Sequence, residues 1–180
     1  MLRFASVLFF LCLLSSPGQA DNNRTLTIKL LDNHGDAIAI GSLNLFAQQT
    51  GYKYRLHLDH SRFTDHFLSM KEMKCLEGKE LWCHLPYPYA SPRLISADDL
   101  RWLEHDLLFL FKRPGEFGAD FWNGIYYRLS WQGDHIVGTA NAVDLNLLAS
   151  PPENHEPPLG QWDIEPVDPQ QRWLTTIRIR

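Results

Sequence analysis

Apolar and polar residues alternate cleanly over Tyr52–Asp59, where Tyr52, Tyr54, Leu56 and Leu58 face one way and Lys53, Arg55, His57 and Asp59 the other. A period of two with one wet face marks a strand in an antiparallel sheet. Leu26, Ile28 and Leu30 repeat the pattern. Ile38 and Ile40 share one phase and Leu43 and Leu45 the other, and the slip at Gly41-Ser42 predicts a β-bulge. Further on, Ile125, Tyr127, Leu129 and Trp131 alternate up to Gly133-Asp134, a two-residue hairpin turn. That turn sets Trp131 against Ile136, Leu129 against Gly138, Tyr127 against Ala140 and Ile125 against Ala142. Trp173, Thr175, Ile177 and Ile179 predict a last strand, which must dock in the sheet or stand as an aggregation-prone edge.

One stretch reads differently. Ser96-Ala97-Asp98-Asp99 resembles a capping box, and Leu100, Leu103, Leu107 and Phe111 follow at helical spacing. Lys112-Arg113-Pro114-Gly115 supplies a stop. The spacing predicts a long helix with its apolar face on the sheet and Glu104, His105 and Asp106 outward. The expected fold is α+β: a bent, mostly antiparallel sheet or partly closed barrel with that one long helix packed on it.

Cys75 and Cys83 flank Gly78-Lys79-Glu80. Pairing them sets Leu76 opposite Trp82, Glu77 opposite Leu81 and Met73 opposite Leu85, a hairpin with a three-residue loop. Seven intervening residues do not suit a redox-active pair, which usually has CxxC spacing at a helix start. Pro86-Tyr87-Pro88-Tyr89 cannot be a central strand and predicts a stiff extended rod.

The first twenty residues change the picture. Arg3, the apolar run Phe4–Leu14 and the small residues before Ala20 form a signal peptide, so residues 1–20 are expected to be removed and 21–180 to fold as a single domain. A membrane anchor would need a longer apolar run. Leu11 before Cys12 does not suit a lipobox. Loss of Arg3 takes the formal net charge from −4 to −5. No basic footprint suggests nucleic acid, and no later segment suggests membrane insertion. An oxidising compartment predicts a Cys75–Cys83 disulfide.

Candidate chemistry is dispersed. His57, Asp59, His60, Asp65 and His66 could converge on a metal, but their spacing matches no strong ligand pattern, and a polar strand edge and loop is the simpler account. Glu116, Asp120 and Asp134 are candidate hydrolase carboxylates. No phosphate-binding loop, dinucleotide fingerprint, GxSxG or HExxH occurs, and no cofactor is expected. Trp82, Tyr87, Tyr89, Phe121, Trp122 and Tyr126 fall on turns, the rod or the outer phase of strands, where they could form a contact surface or fill a second core.

Phe67-Leu68-Ser69-Met70 through both cysteines to His84-Leu85-Pro86-Tyr87-Pro88-Tyr89, the stretch Ile95–Phe111, and Trp122-Asn123-Gly124-Ile125-Tyr126-Tyr127 together resemble an uncharacterised family of exported proteobacterial proteins. The resemblance covers most of the chain after the leader. It implies a periplasmic address and carries no activity, cofactor or catalytic residue. The expectation is therefore a non-catalytic periplasmic domain that binds a protein partner or a small ligand. The alternative is a cell-envelope hydrolase or metal-dependent enzyme. A deep pocket with convergent polar groups favours an enzyme or small-ligand binder, and a flat aromatic patch favours a protein partner.

Overall fold

The computed structural model describes residues 23–69 and 71–180. The leader over residues 1–20 lies outside the described residues. Twelve strands follow: β1 (Arg24–Leu31), β2 (Ala37–Ala47), β3 (Tyr52–Leu58), β4 (Thr64–Leu68), β5 (Lys71–Glu77), β6 (Leu81–His84), β7 (Leu94–Ile95), β8 (Phe109–Lys112), β9 (Gly124–Gln132), β10 (His135–Val143), β11 (Ile164–Pro166) and β12 (Thr176–Ile179). The α-helix α1 spans Arg101–Asp106. The strands form one sheet in the order β4-β5-β6-β8-β9-β10-β12-β1-β2-β3-β7, with β11 beside β10. Every pairing is antiparallel.

The sheet curls without closing, and β4 and β7 are its two ends. Curling carries β3 toward β9, so that the Tyr52 and Trp131 rings lie 6.1 Å apart. The Trp131 indole N–H donates to the Ser96 carbonyl at 3.0 Å. Inside the curl Ile28, Leu30, Ile40, Leu43, Leu45, Phe109, Tyr127, Ile177 and Ile179 are fully buried. Each large aliphatic side chain buried this way contributes about 1.5–3 kcal/mol.

Where alternation is clean, the register follows it. Trp131, Leu129, Tyr127 and Ile125 pair with Ile136, Gly138, Ala140 and Ala142. The bulge in β2 lies next to Gly41: Ile28 pairs with Gly41 and Lys29 with Ala39, leaving Ile40 as the extra residue. A Cβ on Gly41 would stand 2.1 Å from the His57 carbonyl oxygen, so β3 approaches too closely for any larger residue. Cys75, Leu76 and Glu77 pair with Cys83, Trp82 and Leu81, and Cys75–Cys83 is a disulfide. On the β6 side the ladder ends at Lys74–His84, one position short of Met73 and Leu85, and Met73 pairs with His66 on the β4 side.

The long helix does not exist. α1 has six residues, and Phe109–Lys112 is a strand between β6 and β8's other neighbour, β9. The reason is burial on all sides. Leu107 to Phe111 is an unbroken apolar run, every residue of which is buried, and such a run suits a strand covered on both faces as well as a helix. Ser96 Oγ does accept from the Asp98 and Asp99 amides, at 3.3 and 3.0 Å, but this closes a turn ahead of α1. The second correction concerns Glu104, His105 and Asp106. They do not form a wet face: Glu104 and His105 are buried, and the Asp106 side chain is 12% exposed.

The disulfide hairpin also holds the chain ahead of β12. Buried Glu80 accepts from Arg172 Nη1 at 2.9 Å and from the Trp173 amide at 3.0 Å. The Arg172 guanidinium lies 3.7 Å from the centre of the Phe111 ring. Among the described residues no helix is long and apolar enough to cross a membrane.

Candidate functional site

Two clefts flank α1, and the three polar residues at positions 104 to 106 sort between them. The first, about 450 Å³, is lined by Asp98, Asp99, Arg101, Glu104, Tyr126 and Arg128 among others. Its buried acid is already committed. Glu104 accepts from the Tyr126 hydroxyl and from the Leu129 amide, using one oxygen for each. Burial pushes the Glu104 carboxyl above its ordinary range, and those two donors pull it back. The carboxylate braces α1 against β9. Arg101 is equally engaged, forked onto Asp99 and reaching Glu156.

His105 stands between the clefts and is fully buried. Its Nδ1–H donates to the Arg101 carbonyl at 2.7 Å, and its Nε2 accepts from the Leu159 amide at 3.1 Å. The Tyr87 and Tyr126 rings stand edge-on to it at 5.4 and 5.6 Å. Desolvation lowers its pKa from 6.5 to about 4, so the ring is neutral.

The second cleft, about 210 Å³, opens between β3 and the segment that leaves β6. Leu56, Leu58 and Pro86 make its apolar wall, and His60, His84, Tyr87, Arg93 and Asp106 its polar one. The Tyr54 hydroxyl donates to Asp106 Oδ2 at 2.8 Å, and Arg93 Nε lies 3.7 Å from the same oxygen. Burial raises the Asp106 carboxyl, with Tyr54 and Arg93 opposing the shift. His84 Nε2 lies 3.0 Å from the Asp106 carbonyl; a carbonyl only accepts, so Nε2 carries the proton and Nδ1 is left as the acceptor. Desolvation pushes His84 down, so it too is neutral near pH 7.

Arg93 is held in the left-handed region, at φ 53°. Its amide donates to Ser91 Oγ at 3.1 Å and its carbonyl accepts from the Tyr54 amide at 2.9 Å. A non-glycine residue there costs about 1–3 kcal/mol, and such strain gathers at functional sites. The decisive feature is Tyr87. Its side chain is 8% exposed, packed against Tyr89, Trp102 and His105. Its hydroxyl is, among the described residues, the one buried side-chain polar atom without a hydrogen-bond partner.

The six aromatic residues singled out from sequence do not form one surface. Trp82, Tyr87 and Tyr126 are core residues. Trp82 Nε1 donates to the Tyr127 hydroxyl at 3.1 Å. Tyr89 is half-buried and donates to the Leu148 carbonyl at 2.9 Å. Phe121 is half-buried, and Trp122 is the exposed member of the set, at 69%. The Pro86–Tyr89 rod thus turns its tyrosines inward and its prolines outward.

The dispersed carboxylates and histidines serve local turns and pairs. Glu116 accepts from the Arg113 amide, Asp120 from the Trp122 amide, and Asp134 pairs with His135. Asp59 accepts from Ser61, Asp65 pairs with Lys74, and His66 with Glu77. Only His60 of that group lines the cleft. No set of three or more His, Cys, Asp or Glu side chains among the described residues is placed to hold a metal ion.

Comparison with protein-family models, curated proteins and solved structures returns no match for this chain. Sequence reasoning missed Tyr54, Arg93 and Asp106, which meet at the second cleft from three separate segments. One signal was available: three ionisable residues, Glu104-His105-Asp106, sit directly before the unbroken apolar run Leu107–Phe111.

Proposed function

We propose that the chain is an exported, non-catalytic binding domain whose ligand is a small molecule seated in the cleft beneath Tyr87. The observation that carries this reading is the Tyr87 hydroxyl. A buried O–H without an acceptor costs about 1–3 kcal/mol, and here it belongs to a residue that lines a polar cleft. Pocket chemistry supports binding over catalysis. Asp106 already accepts from Tyr54, and the His84 Nε2–H is spent on the Asp106 carbonyl, so these two lining groups are engaged within the fold. Export draws support from the Cys75–Cys83 disulfide, a bond that persists in oxidising compartments.

Tyr87→Phe tests the seat in the unliganded protein. With the hydroxyl unpartnered, the variant is more stable than the parent by about 1 kcal/mol in urea denaturation. A loss of stability of that size would show that the hydroxyl has a partner in the empty protein and that the cleft is not a ligand seat.

A further inference from the structure

The cleft's charges define its ligand more narrowly, an inference that rests on the seat proposed above. At about 210 Å³ it lies below the range of about 300–1,000 Å³ typical for drug-sized ligands, so its occupant is a molecule of a few heavy atoms. Its lining residues carry two donors not engaged in hydrogen bonds within the described residues, the buried Tyr87 hydroxyl and the Arg93 guanidinium. They carry acceptors as well: Asp106 spends Oδ2 on Tyr54 and Arg93, which leaves Oδ1, and the bond from His84 Nε2 to the Asp106 carbonyl leaves Nδ1.

The formal charges of Arg93 and Asp106 cancel. A plain anion on Arg93 would meet the Asp106 carboxylate, and a plain cation on Asp106 would meet the guanidinium, because the two groups are 3.7 Å apart. A molecule with a carboxylate and an ammonium group on one carbon presents opposite charges at a matching separation. Its carboxylate takes the Arg93 fork and the Tyr87 O–H, and its ammonium takes Asp106 Oδ1 and His84 Nδ1. Leu56, Leu58 and Pro86 then offer an aliphatic wall. We infer that the cleft binds a free α-amino acid with a small aliphatic side chain.

The test is a titration of the whole protein with both enantiomers of valine, followed by Trp102 fluorescence and amide NMR shifts. Trp102 reports because its ring lies 6.0 Å from that of Tyr87. Isobutyrate and isobutylamine serve as probes that each keep a single charge. Valine in at least one hand is expected to bind at millimolar concentration or below, and each single-charge probe about tenfold more weakly or less, the loss of one charge-assisted pair. Arg93→Gln is expected to weaken valine about tenfold without moving the melting temperature, and Arg93→Lys to recover part of that loss. If isobutyrate or isobutylamine binds as well as valine, and binding depends on Tyr87, the amino acid class is wrong while the seat stands. If no probe binds, the inference fails, and a destabilising Tyr87→Phe in the same preparation removes the seat as well.

Discussion

His105 gives the most quantitative prediction. In the folded protein it is neutral down to about pH 4, whereas in the unfolded chain it protonates near 6.5. Between those values the unfolded state binds the extra proton, so stability rises with pH across the window and is lost as pH falls from 6.5 toward 4. At 1.36 kcal/mol per pH unit, acidifying from 7 to 4.5 removes about 2.5 kcal/mol through this residue alone. His84 acts in the same direction. Glu104 and Asp106 act in the opposite one: their raised carboxyls take up protons in the fold, which stabilises it as pH falls. His105→Gln isolates the histidine, because glutamine does not titrate yet can still accept from the Leu159 amide. Urea denaturation followed by tryptophan fluorescence should find the variant less stable at pH 7 by about 1–2 kcal/mol, having lost the bond to the Arg101 carbonyl and the ring packing. At pH 4.5 that deficit should shrink by about 2.5 kcal/mol and vanish or reverse. Parallel stability curves from pH 7 to 4.5 would refute the claim that His105 is buried neutral.

Other predictions bear on the frame and on export. Reducing Cys75–Cys83, or replacing both cysteines with alanine, should cost about 2–3 kcal/mol in urea denaturation, since the bridge closes a loop with a sequence separation of 8. A cost near zero would mean that the hairpin is equally ordered in the unfolded chain. Arg172→Ala should cost about 3 kcal/mol or more, because it strands the buried Glu80 carboxylate and uncovers Phe111; a loss below about 1 kcal/mol would show that water reaches Glu80. Mass spectrometry of protein recovered from the periplasm of an expressing bacterium should give a chain that starts at Asp21, and retention of residues 1–20 in the cytoplasm would count against export.

β3 was legible because its more buried positions alternate with exposed ones, and the β9–β10 hairpin because Gly133 at φ 65° permits the turn between its strands. β8 was not. Leu107 to Phe111 has no polar positions to reveal its period, so helix and strand look alike until the sheet supplies neighbours on both sides. For the same reason Glu104, His105 and Asp106 read as a wet face. Their partners, Tyr126, Leu159 and Tyr54, lie 22 to 54 residues away and leave no local pattern. Tyr87 was singled out as a displayed contact residue, whereas it is buried. Arg93 was invisible, since its position depends on a left-handed turn that Ser91-Pro92 does not announce.

The place of β12 has a consequence for how the molecule is made. Ile179 pairs with Ile28 on one side and with Ile136 on the other. Without it the sheet falls into two pieces, β3-β2-β1 with β7 and β10 through β4, and β1 and the His135–Ala140 part of β10, which β11 does not cover, are left with unpaired amides and carbonyls. A chain emerging amino end first can build both pieces early but cannot join them until residues 176–179 are out. Until then β1 and β10 are open templates for any passing strand. Synthesis or translocation stalled just short of residue 176 should therefore yield aggregates rather than native protein, and a helper that covers strand edges would have most to do at that moment.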